Sequence, residues 1–230
     1  MLPWIELDTA EIPGQDAVAG GSTHLRLKRR GDEFSIMLGP TELMNSRLSG
    51  SEEALATLAQ AKIADRPRPA MLIGGLGMGF TLRAALAVLP EAAEVTVAEL
   101  VPAVIAWARG PMAPVFKGCL EDKRVRLHEG DVAALIRSTP GVWDTILLDV
   151  DNGPDGLTRA GNDGLYSAPG LASAHRALKA GGVLTIWSSA PDPAFTRRLT
   201  QAGFAAEAVP VRANGKRGGA RHVVWVAVKR

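Results

Sequence analysis

Cysteine occurs once in the 230 residues, at Cys119, which excludes a disulfide framework and a cysteine-rich metal site. Tyrosine also occurs once, at Tyr166. The four histidines, His24, His128, His175 and His222, show no metal-ligand spacing, so no metal is expected. Neither sign of charge dominates. A net charge of +2 implies no strongly acidic or basic partner, and nucleic acid is disfavoured because the basic residues are not concentrated. No stretch approaches the ~20 apolar residues that span a bilayer. The first residues lack the basic-then-apolar order of a signal peptide. A cytoplasmic protein without a membrane partner is therefore the expectation. The phosphate-loop pattern GxxxxGK[ST] is missing too, so a triphosphate ligand is not required.

What is present is an alternation of short apolar runs and helical segments. Residues 23–38 read as a hairpin, with the turn at Arg29-Arg30-Gly31-Asp32. Residues 51–63 read as a helix capped by Ser51, with glutamates in the first turn. The prolines of "DRPRP" at 65–69 interrupt both helix and strand and mark a boundary. This gives a small N-terminal region, 1–64, and a larger domain, 70–230. In the larger domain, apolar runs at 70–73, 94–98, 125–128, 144–149 and 183–187 alternate with helices at 80–89, 102–109, 132–138, 168–179 and 193–202. Such alternation implies a mostly parallel sheet covered on both faces. After residue 203 the rhythm becomes strand, turn, strand, an antiparallel hairpin that closes a seven-stranded sheet.

The segment "MLIGGLGMGF" at 71–80 places Gly75, Gly77 and Gly79 between the first strand of this domain and a helix. Missing side chains and free backbone N–H groups there suit a nucleotide. Glu99 ends the second strand, 24 residues after Gly75, where a carboxylate can accept from both ribose hydroxyls. Asp131 follows the third strand, beside Val132. It can accept from an adenine amino group, cap the next helix, or do both. Asp149 ends the fourth strand, in "LLDVDNGPDG". Three acids at three successive strand ends beside a glycine loop are far more specific than any one of them.

These motifs, in this order, resemble the spermidine synthases, aminopropyltransferases built on the Rossmann-like fold of S-adenosylmethionine-dependent methyltransferases. The likeness runs from about residue 34 through "SIMLGPTELMNSRLSGSEEALATLA", "MLIGGLGMGFTLRAAL", "VTVAELVPAVIAWAR", "VRLHEGDVAALI", "WDTILLDVDNGPDGLT" and "HRALKAGGVLTIW". It implies an α/β fold, S-adenosylmethionine or its decarboxylated form held by Gly75, Gly77, Met78, Gly79, Glu99, Asp131 and Val132, and Asp149 as general base. It also implies a small-molecule acceptor, such as an amine, near Asp151, Asn152 and Tyr166, and leaves a homodimer open.

The sequence departs from the family's pattern at several points. Met78 stands where the family has the aspartate that holds the donor's amino group. Asn152 stands at the second loop aspartate, with Asp151 adjacent. Glu42 replaces a glutamine, and Ser51 replaces a tyrosine. A polyamine needs several fixed carboxylates or aromatic faces, so these losses tilt the expectation narrowly toward methyl transfer from ordinary S-adenosylmethionine. Aminopropyl transfer from the decarboxylated donor is the alternative, and a nucleoside-binding module without catalysis is the third class.

Overall fold

The computed structural model describes residues 2–13, 23–150, 164–215 and 218–230. Four antiparallel strands come first and lie side by side in chain order: β1 (Ile5–Glu11), β2 (His24–Arg30), β3 (Glu33–Leu38) and β4 (Thr41–Asn45). The expected hairpin is β2–β3, turned at Gly31, whose φ of +59° suits glycine. Strands β1 and β4 extend it to a sheet. β1 escapes the sequence reading because its alternation, Ile5 and Leu7 against Glu6 and Asp8, covers only four residues of an edge strand exposed along nearly its whole length.

Helix α1 (Gly50–Lys62) starts one residue earlier than expected and is capped differently. Ser49 occupies the N-cap, and Ser51 lies inside the helix, where its hydroxyl donates to Glu52 rather than accepting from the backbone. The start of α1 is pressed against the turn near Ala213–Gly215. Gly50 N donates to Ala213 O at 2.9 Å, and a Cβ at Gly50 would lie 2.1 Å from Gly215 N. Although α1 precedes the proline boundary, it packs on the large sheet, through buried Leu55, Ala56 and Ala59, against α2, β9 and β11.

The large sheet contains β5 (Ala70–Gly74), β6 (Glu94–Glu99), β7 (Val125–Glu129), β8 (Trp143–Leu148), β9 (Leu178–Ser188), β10 (Phe204–Arg212) and β11 (Arg221–Lys229). Their spatial order is β10-β11-β9-β8-β5-β6-β7. The pairs among β7, β6, β5, β8 and β9 are parallel, and β11 runs antiparallel to both β9 and β10. The helices are α2 (Phe80–Val88), α3 (Pro102–Arg109), α4 (Ala113–Phe116), α5 (Val132–Ser138), α6 (Ala168–Ala177) and α7 (Pro193–Gln201). α6 stops short of the expected residue 179 because Leu178 already pairs with Trp143 as part of β9.

Period-two alternation sends neighbouring residues of β5 to opposite faces. Met71 and Ile73 join the apolar cluster with α1, α2 and the N-terminal sheet, and Leu72 joins the other with Phe195, Phe204 and Trp225. All six residues of β8 are buried, as expected of a central parallel strand. The second residue of β8, Asp144, is nonetheless charged. It accepts from Ala70 N at 2.7 Å, from Lys179 Nζ at 2.7 Å and from Arg66, tying the proline segment to the sheet. The chain runs outward from β5 to β7 on one side and resumes at β8 on the other. A crevice therefore opens at the carboxyl ends of β5 and β8. Among the described residues, no helix is long and apolar enough to cross a membrane.

Candidate functional site

Two adjoining cavities occupy that crevice. The first is lined by Gly75, Gly77, Glu99, Gly130, Asp131, Val132 and Asp149 from the large sheet, and by Ile12, Leu25, Ile36, Leu38, Leu43 and Met44 from the N-terminal sheet. The structure thus brings six of the sequence-selected residues together. Gly75 has a φ of +91°, and a Cβ there would lie 2.4 Å from Asp149 O, so the loop passes too close to the end of β8 for any side chain. Gly79 serves a different need and lines neither cavity. It begins α2 with a φ of +72°, and a Cβ there would overlap the Phe116 ring at 2.5 Å.

Glu99 is 8% exposed, and both its oxygens are already used. Oε1 accepts from Val101 N and Oε2 from Leu76 N, each at 2.9 Å. Each oxygen keeps a second lone pair for a ligand hydroxyl. Burial pushes this carboxyl above its ordinary value, while the N–H groups of Val101, Leu76, Gly77 and Leu100 oppose that rise. Asp131 is exposed and caps α5 by accepting from Ala133 N at 2.9 Å; its position on the first cavity leaves it available to a ligand as well.

The second cavity shares Leu43, Met44, Gly77 and Asp149 with the first. Met78 lines this one and not the first, and it is 2% exposed. Four residues that were not selected from the sequence as site residues line it as well. Glu52 and Ser51 project from α1, while Trp187 and His222 come from β9 and β11. Thr81, at the start of α2, donates to Asp149 Oδ2 at 2.6 Å. Burial raises Asp149 to about 6, against the opposing Thr81 hydrogen bond. Burial and the nearby Asp149 charge raise Glu52 to about 7, against the hydrogen bond from Ser51. Burial lowers His222, which favours its neutral ring. The Trp187 ring meets His222 edge-on at 4.9 Å, and its buried Nε1 has no hydrogen-bond partner among the described residues. Glu52 was legible only as a first-turn helix acid. Its one signal was adjacency to Ser51, the residue standing where the family has a tyrosine.

Other expected residues lie elsewhere. Tyr166 faces neither cavity. It is 2% exposed, packs edge-on against Phe195 at 5.9 Å and donates to Val150 O at 3.2 Å. Glu42 is held by Ser35 Oγ at 2.7 Å and Asn45 Nδ2 at 3.1 Å, away from both cavities. Asp151 and Asn152 lie outside the described residues.

Residues 49–201, more than half of the chain, match the family model of the spermine/spermidine synthase domain. The chain belongs to the spermine/spermidine synthase family. It is 36% identical over 125 residues to the polyamine aminopropyltransferase of Nitrosomonas europaea, covering 54% of this chain and 36% of that protein. The polyamine aminopropyltransferase of Moorella thermoacetica is 33% identical over 133 residues, covering 58% and 44%. The chain therefore spans less than half the length of these two curated relatives. Among solved structures, spermidine synthase from Thermotoga maritima superposes with a TM-score of 0.73 at 18% identity, over 98% of this chain and 73% of that one. A Burkholderia thailandensis 1,6-didemethyltoxoflavin-N1-methyltransferase superposes with a TM-score of 0.55 at 19% identity, over 79% of each chain. The fold shared by spermidine synthases and methyltransferases is thus present in this member of the family.

Proposed function

We propose that this protein transfers an aminopropyl group from decarboxylated S-adenosylmethionine to a primary amine of a di- or polyamine. The observation that carries the reading is the charge of the second cavity. Its described lining includes two carboxylates, Asp149 and Glu52, and neither lysine nor arginine. Ordinary S-adenosylmethionine would bring a third carboxylate into this space with no cation to meet it. Two like charges about 4 Å apart repel by roughly 4 kcal/mol at an effective dielectric of 20. The decarboxylated donor keeps the ammonium group and lacks the carboxylate, and the acceptor brings a further ammonium group. The narrow expectation of methyl transfer rested on the departures at Met78, Asn152, Glu42 and Ser51, with neutral Met78 separating the two donors. The carboxylate missing there is offset by Glu52, and family membership also favours the alternative.

In this reading the nucleoside fills the first cavity. Glu99 receives the ribose hydroxyls, Asp131 the adenine edge, and the N-terminal sheet covers the apolar wall. The acceptor enters as an ammonium ion and gives one proton to Asp149. The freed nitrogen lone pair attacks the propyl carbon next to sulfur. The carbon–sulfur bond breaks, its pair returns to sulfur, and neutral methylthioadenosine leaves. The product is the elongated amine, and the proton on Asp149 passes to solvent. The sulfonium is a good leaving group, so alignment and deprotonation of the acceptor are the main tasks.

Calorimetry with methylthioadenosine, decarboxylated S-adenosylmethionine and S-adenosylmethionine tests this, together with methylthioadenosine release in the presence of a diamine. The expected order is tighter binding of the decarboxylated donor than of S-adenosylmethionine, with diamine-dependent release. Preference for S-adenosylmethionine, with methyl transfer to an acceptor, would overturn it.

A further inference from the structure

Glu52 has no step of its own in the reaction above, yet its carboxylate is the more elaborately held of the two. Ser51 Oγ donates to Glu52 Oε2 at 2.7 Å, and the same hydroxyl lies 3.0 Å from His222 Nδ1. A hydroxyl has one proton, so while Ser51 donates to Glu52 it accepts from Nδ1–H of the ring. His222 is itself braced edge-on by Trp187. Ser51 is 1% exposed, so this chain is sheltered from water. The backbone joins the two acids from below. Thr81 Oγ1, which donates to Asp149, lies 3.3 Å from Glu52 O. Glu52 therefore has a fixed orientation in the cavity that Met78 also lines, with lone pairs left over for a ligand.

We propose that Glu52, positioned by Ser51 and His222, is the residue that selects the donor, by receiving the primary amine of decarboxylated S-adenosylmethionine beside Met78. The inference rests on the aminopropyl reading and adds a division of labour to it. Glu52 holds the amine that does not react, and Asp149 deprotonates the amine that does. A carboxylate on the first helix then supplies what the glycine loop does not. The same negative charge disfavours a donor that retains its carboxylate, so one residue attracts the first donor and repels the second. Ser51 and His222 line the same cavity and take no part in the reaction. They are positioning residues, acting by holding the Glu52 oxygen in place.

The test compares three ligands on the full chain: decarboxylated S-adenosylmethionine, S-adenosylmethionine and methylthioadenosine, which has neither amine nor carboxylate. Dissociation constants are measured for the wild type, Glu52→Gln and His222→Gln. Glu52→Gln keeps the shape and removes the charge. It is expected to reduce the preference for the decarboxylated donor over S-adenosylmethionine by at least tenfold, with methylthioadenosine binding unchanged. That unchanged binding also reports an intact fold. His222→Gln is expected to move the preference in the same direction by a smaller factor. If Glu52→Gln does not fold, Ser51→Ala gives the same reading, with loss of preference supporting the proposal and retention overturning it. An unchanged donor preference in Glu52→Gln, or an equal loss for all three ligands, overturns the inference while leaving aminopropyl transfer standing. Wild-type preference for S-adenosylmethionine overturns both.

Discussion

Burial sets the chemistry of single residues here, and it acts on the acids unequally. Glu99 is buried but surrounded by backbone donors, so it suits hydrogen bonding to neutral hydroxyls. Bonds to a charged acceptor are worth ~1.5–3 kcal/mol, so Glu99→Ala should weaken methylthioadenosine binding at least tenfold, as read by calorimetry. Asp149 and Glu52 have few such donors and are raised to about 6 and about 7. They interact and titrate as a pair. The ionised pair is needed to receive ammonium groups, so kcat/KM should rise with pH through about 6 to 7 and then level off. Their effect on stability has the opposite sign. A carboxyl raised on folding stabilises the fold fully below its unfolded value, near 4. That contribution is lost as pH rises through the folded value. Asp149→Asn should flatten the fall in melting temperature between about pH 4 and 7. It should also lower turnover by ~100-fold or more while nucleoside affinity stays nearly intact. A loss of nucleoside binding equal to the loss of turnover would make Asp149 structural.

Among the elements, β8 carries the heaviest constraint. Its far end supplies Asp149 to the site, and its near end holds Asp144 against Arg66, Lys179 and the Ala70 N–H. Burial acts to raise Asp144, but the Ala70 hydrogen bond and the two cations overcome it and hold the carboxyl below its ordinary value of 3.8. This stabilisation is therefore complete above that value and is lost as pH falls through the lower folded one. Asp144→Ala removes it at every pH. Breaking a fully buried pair costs about 3–5 kcal/mol; Arg66 and Lys179 are partly exposed, so the loss should fall below that range. Urea melts should show a lower midpoint with an unchanged slope. Gly79 shows the same kind of constraint at the start of α2. Its backbone conformation and the Phe116 ring, rather than a ligand, exclude a side chain.

For the whole molecule, the decisive feature is that the first cavity has walls from two sheets. Ile36, Leu38 and Leu43 of the N-terminal sheet face Glu99 and Val101 across it. A ligand seated there should tie the sheets together. Methylthioadenosine at 100 times its dissociation constant adds about 2.7 kcal/mol to unfolding. Hydrogen exchange should then slow in β3 and β4 as well as in residues 75–79. Protection confined to the glycine loop would show that the N-terminal sheet does not close over the nucleoside.

Except for the four-residue α4, too short to show periodicity, the sequence by itself determined the order of strands and helices from residue 70 onward, because apolar periodicity and glycine punctuation are local signals. The α3 and α5 boundaries, 102–109 and 132–138, were legible to the residue. It also named Gly75, Gly77, Glu99, Asp131, Val132 and Asp149, which line one cavity, because glycine-loop and strand-end acids occur at regular spacing in such folds. Strand β1 was not read, because the alternation of Ile5 and Leu7 with Glu6 and Asp8 covers only four residues of a strand with neither face buried. The tertiary structure alone decided the second cavity. Ser51 and His222 are 171 positions apart, and their contact exists only because α1 packs across β9 and β11. It also turned Glu52 from a helix-start acid into a half-buried one lining a cavity, since burial depends on what the rest of the chain lays over a residue. Tyr166 went the other way, into the apolar cluster against Phe195, where burial removes its ring from water. Local chemistry named the candidate residues, and long-range packing selected which of them share a cavity and what charge each one bears.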